Sequence, residues 1–270
     1  MSEASDVTNG QPVALVTGAS SGIGRAFALR LGAMGYRVIA VGRRADRLDA
    51  LANALPAGRL DPIIADLGTD AGIAAVAEAC AREPLTLLVN NAGLAHYGSF
   101  AAVPAADIAE VLRVKTLATT LLAHAAVPGM LARGGGTIVN VAGMLAFGAA
   151  APLGPTPGRA TYVATLAHLV ALSQALAEEL RAGNIRVQAL CPGIVATEFH
   201  MRQGMDLSAL PRMTAEDVVT ASLAGLALGE VVCAPGVEDV GLLDGARRAN
   251  LTAFGGQSPT LATRYRQQAE

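Results

Sequence analysis

Val13-Ala14-Leu15-Val16-Thr17 runs directly into Gly18-Ala19-Ser20-Ser21-Gly22-Ile23-Gly24, and this join decides the architecture. A short apolar run bounded by glycines reads as a buried strand. The glycines permit a tight turn, and a helix follows from about Gly22 to Met34, with Gly35 as its cap. Outward from there the pattern alternates. Strands are expected at Arg37–Val41, Leu60–Ala65, Leu85–Val89, Thr137–Val141 and Ile185–Leu190. Helices are expected at Asp46–Ala54, Ala71–Ala81, Ala105–Ala126 and Arg159–Arg181. Alternating strands and helices imply right-handed crossovers and a Rossmann-type, doubly wound parallel sheet in three α/β/α layers. No linker divides the pattern, so residues 12–270 read as a single domain behind a polar, acidic leader at 1–11. Two stretches break the rhythm: Gly148–Gly158, and Thr197–Thr214 after the sixth strand, which is the expected substrate lid.

Composition agrees. Hydrophobic residues make up 52% of the 270, aromatics 3%, and tryptophan is absent, so the core is built from Ala, Val, Leu and Ile. With 20 basic and 22 acidic side chains the net charge is −2, too weak a field for phosphate backbones; nucleic acid is not an expected partner. No stretch of about 18 residues is read as free of both charge and turn signals, so no membrane span is expected. The leader lacks the layout of a signal peptide. Cys80, Cys191 and Cys233 are odd in number and far apart, which fits a reducing cytoplasm and offers no metal cluster.

The turn after the first strand lets the backbone approach a pyrophosphate, which would rest on the helix N-terminus. Nineteen residues past Gly24, where a sheet binding NAD usually offers a carboxylate to the ribose, stand Arg43 and Arg44. They can pair with a 2′-phosphate, so NADP is the expected cofactor.

With these features the sequence resembles the short-chain dehydrogenases/reductases. Thr17 to Gly24, Asp66-Leu67, Asn90-Asn91-Ala92-Gly93 and Cys191-Pro192-Gly193-Ile194-Val195-Ala196-Thr197 carry the likeness, in that family's order. The resemblance implies cofactor contacts from Gly18, Ser20, Ser21, Gly22, Ile23 and Gly24. Asp66 and Leu67 would flank the adenine, and Asn90, Ala92 and Gly93 would wall the adenosine. Pro192, Gly193, Val195 and Thr197 would receive the nicotinamide carboxamide. It also implies a sheet of about seven strands and a homodimer or homotetramer built on the two long helices.

The same resemblance makes the catalytic positions informative. Such proteins use a tyrosine as general acid or base, with a lysine four residues on, a serine after the fifth strand and an asparagine on the fourth helix. A free phenol titrates near about 10, so proton transfer near neutrality needs an adjacent positive charge. Here Tyr162 is kept, but Leu166 replaces the lysine, Ala142-Gly143 replaces the serines, and Lys115 stands at the asparagine. Lys115 falls on an apolar stripe with Val111, Ala118 and Leu122, where an unpaired charge is costly. It is expected to replace the missing ammonium beside Tyr162, the alternative being a lysine that snorkels to solvent. His96, Tyr97, Gly143, Met144 and Phe199 are expected around an apolar substrate pocket.

Three functions remain open to the sequence. One is an NADP(H)-dependent oxidoreductase with a rebuilt proton donor, acting on a C=O, C=N or activated C=C group of a small molecule. Another is non-redox chemistry on the same fold, such as cyclisation, isomerisation or carbon–carbon bond making or breaking. The third is a non-catalytic NADP(H)-binding protein.

Overall fold

A computed structural model describes residues 10–152 and 158–266, so most of the expected leader and part of the Gly148–Gly158 stretch lie outside the described residues. Seven strands form one parallel sheet in the order β3-β2-β1-β4-β5-β6-β7. They are β1 (Val13–Thr17), β2 (Arg37–Gly42), β3 (Leu60–Ile64), β4 (Leu85–Asn90), β5 (Gly136–Val141), β6 (Ile185–Leu190) and β7 (Val232–Cys233). The chain leaves β1 for one edge, returns, and builds the other half from β4. The crevice for a ligand therefore opens between β1 and β4 at the strands' carboxyl ends.

Among the described residues up to 236 there are eight α-helices: α1 (Gly22–Ala33), α2 (Ala45–Asn53), α3 (Asp70–Arg82), α4 (Ala105–Leu112), α5 (Thr119–Ala132), α6 (Ala160–Glu179), α7 (Phe199–Arg202) and α8 (Ala215–Leu228). Strand residues alternate between the two faces. Ala14 and Val16 of β1 pack with Phe27 and Leu31 of α1, Leu48 of α2 and Val218 of α8. Val13 and Leu15 face the other way, against Val76 of α3 and Leu122 and Ala126 of α5. The aliphatic excess is thus spread over both sides of the sheet. The free cysteines Cys80, Cys191 and Cys233 are buried within it.

The structure alters two expectations. Helix α6 is long and apolar enough to cross a membrane by length and composition, so the expectation that no such stretch exists fails there. The helix instead lies on the sheet with Leu166, Leu169 and Val170 buried, and its composition reflects that contact. The expected helix at 105–126 extends to Ala132 and is interrupted by a π-helical turn over Arg113–Ala118. Thr116 Oγ1 donates to Leu112 O at 2.5 Å, and Thr120 Oγ1 to Thr116 O at 2.8 Å. Hydroxyls that take the carbonyls four residues back loosen the regular ladder, which is where wide turns form.

From Val237 onward the chain forms a second compact unit. It contains α9 (Gly241–Gly255), on which Leu242, Leu251 and Phe254 are exposed.

Phe27 is fully buried and is the largest side chain in the α1 face of the core. Phe27→Ala should cost about 3–5 kcal/mol, because the site cannot collapse around the cavity left behind. Urea unfolding followed by circular dichroism should show a lower midpoint with little change in slope.

Candidate active site

The carboxyl ends of the strands enclose a cavity of about 960 Å³. Its first wall is the turn between β1 and α1. Gly18 and Gly22 hold positive φ angles of 65° and 53°, which glycine adopts without strain. A Cβ on Gly24 would stand 2.4 Å from both Asn91 Nδ2 and Gly18 O, so that position admits no side chain. Ser21 caps α1 only with its backbone; no side-chain hydrogen bond occupies the helix start. Free amides and the helix dipole there suit an anion.

The second wall is tied to the first. Thr17 Oγ1 accepts from Asn91 N at 2.9 Å and Ala92 N at 3.0 Å, while Asn91 Nδ2 donates to Thr17 O at 2.9 Å. Ala92 and Gly93 reach the cavity, whereas Asn90 stays behind the wall, donating to Asn140 Oδ1 at 3.0 Å. Gly24 likewise acts through its contacts rather than by lining the space. The remaining residues expected around a dinucleotide, from Ser20, Ser21 and Ile23 through Asp66 and Leu67 to Pro192, Gly193, Val195 and Thr197, line the cavity.

At the end of β2 the two arginines diverge. Arg43 pairs with Asp66 at 3.7 Å. Arg44 donates to Ser20 Oγ at 2.9 Å and Ser21 Oγ at 3.0 Å, joining the glycine turn to the next strand. Burial lowers its guanidinium below the ordinary value, and the nearby charges of Arg202 and Arg47 lower it further. Sequence reading did not find Arg47, Arg202 or Glu198, which gather at this corner. Arg47 carried a usable signal, since it stands three residues after Arg44, in the first turn of the helix that Arg44 caps.

At the opposite end stands Tyr162, in the first turn of α6. The Tyr97 ring meets it edge-on with centroids 5.8 Å apart, and Phe199 lies at 5.9 Å. Burial, then Tyr97, pushes the Tyr162 phenol well above its ordinary value, so it is held as the neutral acid. Burial also pushes Tyr97 up to about 12, against a smaller opposing effect of Arg159. Gly143 and Met144 line this end as expected, together with Leu145. His96 does not: its Nε2 lies 2.8 Å from Glu110 Oε2 and its Nδ1 3.7 Å from Asp107 Oδ2, so it braces its loop on α4.

Lys115 is the only lysine in the chain, a signal present in the sequence from the start. It sits in the π-helical turn and is 4% exposed, so it does not snorkel. Its Nζ donates to Val141 O at 2.8 Å, at the end of β5. A Cβ on Gly93 would lie 3.3 Å from that nitrogen. Lys115 and Tyr162 therefore line one cavity, but the groups acting on the phenol are burial and Tyr97, and Lys115 is not among them. Burial brings the Lys115 amine down to about 8, with Cys191 pulling slightly the other way.

A parallel sheet with a glycine-lined crevice at its switch point, arginines at the end of β2 and buried titratable groups beyond defines a dinucleotide-binding α/β protein. Residues 12–207 match the family model described as short chain dehydrogenase, and the chain belongs to that family. It is similar to galactitol 2-dehydrogenase (L-tagatose-forming) of Cereibacter sphaeroides, 36% identical over 70% of this chain and 73% of that protein. A short-chain dehydrogenase from Sphingobium yanoikuyae in complex with NADPH superposes with a TM-score of 0.87 at 34% identity, covering 94% of this chain and 100% of the other. The bulky-bulky ketone specific alcohol dehydrogenase of Comamonas testosteroni gives 0.84 at 31% identity, covering 96% and 99%. The chain spans little more than half the length of fungal very-long-chain 3-oxoacyl-CoA reductases that it also matches.

Lys115 carries a stability penalty that can be measured. Between pH about 8 and the ordinary lysine value near 10.5 the folded chain binds fewer protons at this amine than the unfolded chain, so stability rises with pH across that window. Lys115→Met should therefore stabilise the protein at pH 7 by roughly 1–2 kcal/mol, after loss of the bond to Val141 O. Thermal melts of both proteins at pH 7 and pH 10 should show the gap closing at the higher pH. A less stable variant at pH 7 would contradict the penalty.

Proposed function

We propose that the protein is an NADP(H)-dependent oxidoreductase that reduces a C=O, C=N or activated C=C group of a small apolar substrate. The observation that carries this reading is a single cavity with an arginine–serine corner at one end and a buried, protonated phenol at the other. The residues present fit the cofactor. The glycine turn leaves room for a pyrophosphate, Gly193 has nothing within 4 Å of a hypothetical Cβ, and Arg44 with Ser20 and Ser21 suits a 2′-phosphate. When bound, NADPH supplies the hydride.

The chain's own residues then orient the acceptor and deliver a proton. Tyr162, kept neutral by burial, donates a hydrogen bond to the substrate's acceptor atom and is its proton source. Gly143 leaves the position without a serine hydroxyl, and Tyr97 brings a second phenol to the same wall. Lys115, beside Gly93 and the end of β5, takes the place of the lysine missing at Leu166 by offering its amine to the nicotinamide ribose. Maintaining one buried amine at a cost in stability is understandable if it serves the cofactor. Phe199, Met144 and Leu145 make the substrate end apolar. A neutral phenol suits reduction; oxidation of an alcohol needs the phenolate and should gain rate only at alkaline pH. Assembly as a homodimer or homotetramer through the long helices is supported by Leu117 and Leu121, each 41% exposed on the π-turn and α5 surface.

A panel of apolar ketones, imines and enones should reveal NADPH consumption. Tyr162→Phe should then lower kcat/KM by about 10²–10⁴, the usual worth of a positioned proton donor. Conversion of any substrate with the cofactor's oxidation state unchanged would overturn the redox reading.

A further inference from the structure

Glu198 follows Thr197 at the start of the expected lid, immediately before α7. Its carboxylate is the meeting point of three guanidinium groups from two separate parts of the chain. Arg47, in the first turn of α2, donates to Oε1; Arg202, at the end of α7, donates to Oε2. Arg44, which caps α2, reaches Oε2 at 3.5 Å while donating to Ser20 and Ser21. Burial draws the Glu198 carboxyl upward, but the bond from Arg47 and the charge of Arg202 outweigh it and hold it below the usual range. Three cations around one carboxylate leave excess positive charge beside the glycine turn. A phosphate monoester carries more charge than a carboxylate, and its three oxygens accept several charge-assisted bonds at once.

We propose that Glu198 is an internal stand-in for the cofactor's 2′-phosphate, and that Arg44, Arg47 and Arg202 exchange its carboxylate for that phosphate. The proposal rests on the NADP(H) reading above. Arg47 and Arg202 then join Arg44 as determinants of cofactor choice, and Glu198 sets how strongly the phosphorylated dinucleotide is preferred. The carboxylate lies within reach of Arg44, so a phosphate on that guanidinium meets a like charge unless Glu198 leaves. Because Glu198 and Arg202 bracket α7, the exchange also transmits the presence of the phosphate to Phe199 and His200 at the substrate end. An unphosphorylated dinucleotide leaves the carboxylate in place.

The test is fluorescence titration of the full-length protein with NADPH and with NADH, which needs no substrate turnover. Glu198→Gln keeps the shape and removes the competing charge. It should tighten NADPH about ten-fold and leave NADH unchanged, the scale of one charge-assisted hydrogen bond. Arg202→Met should weaken NADPH by a similar factor and spare NADH. If the wild type prefers NADPH but Glu198→Gln binds it no more tightly, the exchange is wrong and the cofactor reading stands. If the wild type binds NADH as tightly as NADPH, the cofactor reading itself falls, and the exchange with it.

Discussion

The hydroxyl of Thr17 holds the molecule's two halves in register. It accepts the amides of Asn91 and Ala92, and the Asn91 side chain returns a bond to the Thr17 carbonyl. This knot ties the end of β1 to the end of β4, the point where the sheet reverses its order. Gly24 must be glycine because Asn91 occupies the space in which a Cβ would stand. The same segment continues through Ala92 to Gly93, which faces Lys115. Buried bonds between turns, rather than the apolar core alone, therefore shape the site.

Much of this organisation was legible in the sequence. β1 and β6 run over the expected residues, and the cofactor motifs fall at strand ends, because a buried parallel strand is written as an unbroken apolar run. β7 escaped notice: two residues are too few to show a period. α8 is capped by Thr214, whose hydroxyl accepts the Asp217 amide at 3.0 Å, a start signal that could have been used. At the site, the arginines after β2, Arg43 and Arg44, were readable from their distance to the glycine turn. The meeting of Arg47 with Glu198 was not, since these two charges are distant in sequence and meet only through the fold, whereas Glu198 and Arg202 stand four residues apart. His96 shows the converse. Its position after the Asn-Asn-Ala-Gly wall suggested a pocket residue, but two carboxylates on α4 draw it aside.

Tyr162 and Lys115 depart from ordinary titration in opposite directions for the same reason. Burial favours the uncharged form, so the phenol retains its proton more strongly and the amine releases its own more readily. In a protein with nineteen arginines and one lysine, burial lowers Arg44 as well, but only the lysine can give up its charge, because a guanidinium remains charged wherever it is placed. With Leu166 in place of the expected lysine, the cavity wall keeps one amine, that of Lys115.

The wide turn over Arg113–Ala118 has a consequence for how this helix tolerates change in length. A π turn holds one residue more than the regular repeat, and each residue turns a helix by about 100°. Deleting any one residue of the turn would restore an even α-helical winding. The residues on either side would keep their faces, with Leu122 and Ala126 still on the sheet, because the wide turn already absorbs its extra residue. Only Lys115, inside the turn, would lose its place on the cavity. Residue count in this segment thus decides whether the lysine reaches the cavity, while the packing of the helix on the sheet is indifferent to it, and nothing in the hydrophobic pattern alone announces this.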